Sequence, residues 1–452
     1  MAFVFRRSQR LVVKIVRCRF VKLRRFLERS LALCMLFLAC ASHLTSAQQQ
    51  NHQAFASATR ASSLATFDDV WQTINDRYYD PSLHETDWQG LRATFRPSAA
   101  SARDSKELYA LMRRMLLSLR DPHTRLYAPG EEFDTERPRF VTTGLSLREV
   151  DGLVVVWRVE RNSPAARAKV RAGDVVTSID GEPVTDFLNR RLAEGQSASR
   201  SETARFQAVA RLLDGANDSL VTVDFVRPDN RAYTVQLRRL KGARDLHLQL
   251  RSAHKGSISI IRLDAFTSLT AAEFGRVLES LSAAQGIVLD LRDNGGGESE
   301  AMLDVLSAFV PANSTIGRFI DRNGRIITEL QTRSAMLSSA ARIVQLAQPL
   351  IILTSPKTAS AAEIFVAALR ERVRARVLGE NTCGCVLGTR GAHKLPDGGA
   401  LVFSEMNYHT TAGARLEGAG LAPDELIKIS RRDLQTNRDP LLERATDLLR
   451  QK

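Results

Sequence analysis

From Leu246 to its end, the chain alternates strand-like and helix-like segments, and this alternation constrains the fold more than any other feature. Apolar runs such as "SISIIRLDAF", "GIVLDLR" and "PLIILTSP" are typical of buried strands. Amphipathic stretches such as "TAAEFGRVLESLSAA" separate them and have the spacing of helices. Strands that alternate with helices pack as layers around a shared sheet, so this part of the chain predicts a layered α/β core.

Two other kinds of sequence precede this core. The 452 residues exceed an ordinary single domain, so several domains are expected. "FDDVWQTINDRYY" and "SKELYALMRRMLLSLR" have helical periodicity, whereas the stretch from Val141 to Arg239 is made of short β-rich runs broken by turns. The predicted organisation is a linker at 48–63, a helical N-terminal region at 64–135, an inserted β domain at 136–240 and the α/β core at 241–452.

The first 47 residues account for most of the positive charge. They hold 10 Lys and Arg against one Glu, so the net charge of +14 falls to +5 for the remainder (54 minus 49), and nucleic-acid binding is disfavoured. A basic region followed by the apolar run Leu31–Ala41 and the small residues before Gln48 is typical of an export signal. We therefore expect a periplasmic or extracellular protein. An uncleaved membrane anchor and a lipoprotein Cys40 are the alternatives.

"SPKTASAAEIFVAAL" places Ser360 where a turn becomes a helix. Ser360 followed by Glu363 fits a capping box, which would give the serine a purely structural role. The same strand–turn–helix arrangement can present a serine beside free helix N–H groups that are able to hold an oxyanion. The local pattern leaves both interpretations open.

The cysteines and charged residues indicate neither a metal nor a cofactor. Outside the first 47 residues only Cys383 and Cys385 remain, too few for a zinc site. Packed or free thiols are the favoured interpretation, with a disulfide between them as the alternative in an oxidising compartment.

Several motifs in order resemble one family. "LRDPHTRLY", "GIVLDLRDNGGGESEAMLDVL", "LTSPKTASAAEIFVAAL" and "LEGAGLAPDE" are similar to segments of the C-terminal processing (tail-specific) serine peptidases of family S41 and of their tricorn-core relatives. The resemblance implies a crotonase-like or ClpP-like core, protein substrates with free C-terminal tails and no cofactor. It also implies a nucleophile at Ser360 and oxyanion donors among the N–H groups of Gly296, Gly297 and Ala361.

The β-rich insert resembles a PDZ domain. "GLSLREVDGLVVVWRVERNSPAARAKVRAGDVVTSIDGEPV" carries the similarity, with Lys169 standing where a Gly is usual. Such modules bind a peptide as an added strand and hold its carboxylate on backbone N–H groups. The peptide site implied by the resemblance is Gly144, Leu145, Ser146 and Leu147.

The general base is where this chain departs from the family. Cys385 in "GENTCGCV" stands where processing peptidases typically carry a Lys, and a thiol is a poor substitute. The tricorn-like pattern instead implies His123 as base with Glu417 in support. The alternatives are structural roles for both residues, a substitute base at Lys357, Lys394 or His409, and a catalytically inactive binding protein that retains the PDZ-like site.

Overall fold

The computed structural model describes residues 62–121, 123–131, 139–193, 201–243, 248–253, 257–333 and 345–451. The predicted export segment and almost all of the linker lie outside these residues.

The N-terminal region is helical, as predicted. Its helices are α1 (62–77), α2 (Trp88–Ala100) and α3 (Ser105–Leu116), and the chain then enters the short strand β1 (Arg125–Tyr127). Trp71 and Trp88 stack with their ring centroids 6.5 Å apart, and each indole N–H donates to the other residue's carbonyl oxygen. Both tryptophans therefore belong to the core of this region.

The first and last strands of the β-rich insert pair with each other. Its strands and helices are β2 (Arg139–Thr142), β3 (Leu145–Val150), β4 (Leu153–Val159), α4 (Pro164–Arg167), β5 (Val175–Ile179), β6 (Glu182–Pro183), α5 (Val184–Ala193), α6 (Ser201–Ala210), β7 (Leu220–Val226), β8 (Ala232–Arg238) and β9 (Leu240–Ala243). Antiparallel pairing of β2 with β9 brings entry and exit side by side. The main sheet has the order β3-β4-β5-β7-β8, with β6 on β5, so β3 is an edge strand.

The remainder of the chain forms the predicted layered α/β core. Its elements are β10 (Gln249–Ala253), β11 (Ile258–Arg262), α7 (Ser268–Ser282), β12 (Gly286–Asp290), α8 (Ser299–Leu306), β13 (Thr315–Asp321), β14 (Ile326–Gln331), β15 (Leu350–Thr354), α9 (Ala361–Val373), β16 (Arg376–Gly379), β17 (Leu387–Gly388), β18 (His393–Lys394), β19 (Ala400–Val402), β20 (Met406–Thr410), β21 (Glu425–Leu426), α10 (Arg431–Thr436) and α11 (Pro440–Arg450).

The central sheet has the order β10-β11-β12-β15-β16-β21, and all pairs except β10 with β11 are parallel. Its two faces pack against different helices, with α7, α8 and α9 in one apolar cluster and α11 in the other. Strands β12 and β15 are fully buried, which explains their continuous apolar sequences. Because parallel strands end at the same edge, the turns after β12 and β15 meet there.

The helical region shares a core with the C-terminal part of the chain. Strand β1 pairs with β19, and Leu126 lies opposite Leu401. Buried residues of α1 and α3 belong to one apolar cluster with Leu401 and Phe403. The segment that follows α3, which includes His123, is thereby held against the α/β core.

Candidate active site

Ser360 lies between β15 and α9 in an unusual backbone conformation. Its φ of 56° is in the left-handed region, which a residue with a side chain rarely adopts. The preceding turn is fixed by Thr358, whose hydroxyl donates to the Leu291 carbonyl and accepts the Ser355 N–H. Ser360 is half-buried, and its N–H donates to the Cys385 carbonyl (3.1 Å) and to the Glu363 carboxylate (3.1 Å). The surroundings thus over-determine a strained serine at the start of a helix.

Glu363 does more than cap this helix. It is completely buried, and its carboxylate accepts the N–H groups of Gly384 (2.8 Å) and Cys385 (2.9 Å) and the hydroxyl of Thr382 in addition to the Ser360 N–H. Burial raises the pKa of Glu363 despite these donors. The sequence presented Glu363 only as half of a capping box; its burial depends on a loop far away in the chain.

The glycine turn after β12 packs directly against Ser360. A Cβ on Gly296 (φ +101°) would come within 2.8 Å of the Ser360 Cβ and 3.1 Å of the Ala361 nitrogen. A Cβ on Gly297 (φ +138°) would come within 2.1 Å of the Phe266 carbonyl oxygen. Only glycine fits at these two positions.

The three predicted oxyanion donors differ in their availability. The Gly296 N–H donates to Oδ1 of Asn294 (2.8 Å) and is already used in this conformation. Within the described part of the chain, no hydrogen bond occupies the N–H of Gly297 or Ala361. Gly297 and Ala361 therefore remain the stronger candidates for holding an oxyanion.

His123 lies beside a carboxylate that the sequence analysis did not single out. Asp121 is buried, its Oδ1 accepts the His123 backbone N–H (2.8 Å), and the same oxygen lies 3.4 Å from the ring Nδ1. Burial lowers the pKa of His123, but Asp121 and, to a smaller extent, Glu417 outweigh it, so the pKa lies above its ordinary value. Burial likewise raises the pKa of Asp121, and His123 with the hydroxyls of Thr124 and Ser404 brings it below the ordinary range. The Asp of "DPHT", two residues before the His, was the sequence signal that could have revealed this partner. Asp followed by Pro is also typical of a turn, and this hid its role.

Glu417 is buried and close enough to influence His123. Its Oε2 accepts the Val386 N–H (2.6 Å), and its charge is among the causes that raise the pKa values of His123 and Tyr79. Among the described residues, no direct hydrogen bond joins the Ser360 hydroxyl to the His123 ring. The connection between Ser360 and Glu417 runs through residues 384–386.

Cys385 is joined to Cys383 by a disulfide, with their Cα atoms 5.2 Å apart. This is the alternative that the sequence placed second, after packed or free thiols. In this state Cys385 cannot form a thiolate that could accept a proton.

The other candidate bases, Lys357, Lys394 and His409, have different surroundings. The Lys357 ammonium pairs with Asp293 (2.8 Å), which is also contacted by Arg158 and Arg262. Burial raises the pKa of Asp293, but the three cations outweigh it and hold that pKa well below the ordinary range. Lys394 is exposed. His409 is half-buried in β20, and burial followed by two arginines lowers its pKa. The described residues contain no cluster of three or more metal-ligating side chains.

The predicted peptide site lies at the open edge of the inserted sheet. Gly144 leads into β3, the edge strand that contains Leu145, Ser146 and Leu147. Helix α6 lies alongside through an ion pair between Arg205 and Glu149, which leaves a strand edge bordered by a helix. The Gly144 N–H donates to the Thr142 hydroxyl (2.8 Å) and would have to be released to hold a carboxylate.

Comparison with known proteins agrees with this architecture. Residues 257–427 match the family model of Peptidase family S41, residues 60–117 match the Tricorn protease C1 domain, and residues 155–200 match a PDZ domain. The carboxyl-terminal-processing protease of Synechocystis sp. is 28% identical over 84% of this chain and 85% of its own. The chloroplastic C-terminal processing peptidase of Tetradesmus obliquus is 28% identical over 79% and 76%.

Solved structures give the same result. The photosystem II D1 C-terminal processing protease is 27% identical, with a TM-score of 0.55 over 81% of this chain and 93% of that one. Mature CPAF complexed with lactacystin, at 12% identity, shares the fold with a TM-score of 0.64 over 87% and 98%.

Fold and sequence matches together define a serine peptidase. The chain contains a peptidase S41 domain, which follows a region similar to the Tricorn protease C1 domain and a PDZ domain. None of its described helices is both long and apolar enough to cross a bilayer.

Proposed function

We propose that this protein is an exported serine endopeptidase that cleaves C-terminal or unstructured segments of other proteins. Ser360 attacks the scissile carbonyl, and His123 takes its proton and returns it to the leaving amine. Asp121 and Glu417 favour the imidazolium that forms in between. The N–H groups of Ala361 and Gly297 hold the oxyanion.

The observation that carries the proposal is the environment of His123. A base in place of the missing lysine needs a carboxylate to stabilise its charge, and Oδ1 of Asp121 lies 3.4 Å from Nδ1. Nδ1 is buried and makes no hydrogen bond with any described residue in this conformation, so the observed contact with Asp121 is electrostatic. The strained conformation of Ser360 adds support, because such strain concentrates at functional sites.

Substrate capture is assigned to the insert. A tail that adds to the edge of β3 is held by main-chain hydrogen bonds, which suits substrates of varied sequence and explains a preference for unstructured chain ends. The basic and apolar pattern of the N-terminal segment supports export. Retention of that segment as an anchor is the alternative, to be distinguished by N-terminal sequencing of the protein recovered from both the membrane and the soluble exported fraction.

The test is labelling of the full chain with a fluorophosphonate across a pH series. We expect labelling to disappear in Ser360→Ala, to fall about 10²- to 10⁴-fold in His123→Ala, and to persist in His409→Ala, a matched histidine control. Labelling of the wild type should rise with pH through a midpoint above the ordinary histidine value of about 6.5, because neutral His123 is the base and its pKa is raised.

A folded wild type that does not label would contradict the proposal. If such a protein still bound C-terminal peptides through the insert, the second candidate, an inactive binding protein of this fold, would take its place. The observation favouring the inactive binding protein is Cys385, which stands where processing peptidases typically carry a lysine and which forms a disulfide with Cys383. If Cys385→Lys restored labelling, the case for the inactive binding protein would be stronger still.

A further inference from the structure

The segment Thr382–Val386, here called the disulfide loop, is closed by the bond between Cys383 and Cys385. Both cysteines are 4% exposed, and they are the only cysteines among the described residues. Gly384 lies between them with φ of +70°, and a Cβ there would come within 2.9 Å of the Gly420 nitrogen. The disulfide is therefore almost completely shielded from solvent.

One side of the disulfide loop contacts the turn that carries the nucleophile. The Cys385 carbonyl accepts the Ser360 N–H (3.1 Å), and the Cys383 N–H donates to the Thr358 carbonyl (2.9 Å). The N–H groups of Gly384 and Cys385 both donate to Glu363 at the start of α9. Main-chain atoms of the loop thus help to hold Ser360 in its strained conformation.

The other side contacts the segment that carries Glu417. The Val386 N–H donates to the Glu417 carboxylate (2.6 Å), and the Gly384 carbonyl accepts the Gly418 N–H (2.9 Å). A few residues therefore link the nucleophile and the supporting acid, which are far apart in sequence. The relative positions of these two groups depend on the shape of the loop.

The loop holds these groups through its backbone, and a glycine at its centre gives the backbone freedom to change shape. A covalent link between the flanking cysteines removes much of that freedom. We propose that the Cys383–Cys385 disulfide is a positioning element for Ser360 and Glu417, so that the oxidised protein is the reactive form. This rests on the proposed peptidase function.

Reduction of the Cys383–Cys385 disulfide requires an external reductant. A small dithiol reduces the bond through a mixed disulfide: it supplies two electrons and becomes a cyclic disulfide, and two protons end on the thiols of Cys383 and Cys385. The freed loop no longer fixes the direction of the Cys385 carbonyl or of the Val386 N–H. Small displacements of reacting groups reduce rates steeply.

The test uses the full chain with Cys18, Cys34 and Cys40 changed to Ser, which leaves Cys383 and Cys385 as the only cysteines. Fluorophosphonate labelling is measured on the oxidised protein, on the dithiothreitol-reduced protein and on Cys383→Ala/Cys385→Ala. Thiol content is followed by alkylation and mass measurement, and the folded fraction by circular dichroism at the labelling temperature.

We expect reduction to lower the maximal inactivation rate about tenfold or more while the probe concentration for half-maximal rate changes less than twofold. Reoxidation should restore the rate, and the double variant should be slow and indifferent to dithiothreitol. A purely structural disulfide would change the unfolding temperature and leave the rate of the folded protein unchanged, which would overturn the inference alone. An oxidised protein that fails to label would overturn the proposed function as well.

Discussion

Replacement of Gly296 by alanine tests the packing at the candidate oxyanion site. A Cβ at this position would meet the Ser360 Cβ at 2.8 Å, the Ala359 carbonyl oxygen at 2.9 Å and the Ala361 nitrogen at 3.1 Å, and its φ of +101° disfavours any side chain. Backbone strain of about 1–3 kcal/mol and overpacking of about 1–3 kcal/mol together predict a loss of about 2–6 kcal/mol in unfolding free energy.

The neighbouring Gly295 provides a matched control. A Cβ on Gly295 would meet nothing within 4 Å, and its φ is not in the left-handed region. Gly295→Ala should therefore change stability by no more than about 0.5 kcal/mol. Each variant adds one methyl group to the same turn, so a difference between them reports the contact of Gly296 with Ser360 and Ala361.

The assay combines urea unfolding with fluorophosphonate labelling under conditions where each variant is folded. Displacement of the Ala361 N–H should slow labelling of Gly296→Ala by about 10²- to 10³-fold, the usual consequence of losing one oxyanion donor. Gly295→Ala should label within about threefold of wild type, because it leaves Ser360 and its donors in place. Equal labelling of wild type and Gly296→Ala would refute the assigned geometry, and so would equal damage from the two substitutions.

Three further substitutions separate the roles of other groups. Asp121→Asn removes a carboxylate that raises the pKa of His123, so the pH midpoint of labelling should move to lower pH while the maximal rate falls; an unmoved midpoint would argue against the pairing. Lys357→Met should retain labelling if Lys357 is not the base. In the wild type, Lys357 helps to hold the pKa of Asp293 below its ordinary range, so this pairing gives stability that is present above about pH 4 and is lost as pH falls. The variant should therefore lose less stability on acidification than wild type, measured by urea unfolding at pH 7 and pH 3. Thr203→Val removes a 2.7 Å hydrogen bond from helix α6 to the disulfide loop, and should slow labelling less than reduction does because the disulfide remains.

Hydrophobic patterning was sufficient to predict the main architecture. The buried strands β12 and β15 and the amphipathic helices around them have sequences that differ from the β-rich insert, and local periodicity records that difference. The position of Ser360 at a strand–turn–helix junction was predicted for the same reason. Its positive φ was not, because that conformation is imposed by contacts with the glycine turn and the disulfide loop.

Pairings between distant residues could not be read from the sequence. Lys357 carries no local sign that Asp293 lies 2.8 Å away, and Glu363 has the appearance of an ordinary capping residue. Asp121 was missed for a different reason: an Asp before Pro is typical of a turn, and its second role depends on the direction of the His123 ring. Family resemblance supplied His123 and Glu417 but not the carboxylate nearest to the histidine.

The proposed site divides its chemistry between two parts of the chain. The nucleophile, the oxyanion donors and Glu417 come from the α/β core, whereas His123 follows the helical region and is held to the core by pairing of β1 with β19. A lysine on the core would make proton transfer independent of the helical region. With a disulfide at that position and the base on His123, the apolar contacts between α3 and the Leu401 side of β19 become a condition for catalysis and not only for stability. Under the proposed mechanism, the cysteine at position 385 thus makes the activity of the core depend on the docking of the helical region that precedes it.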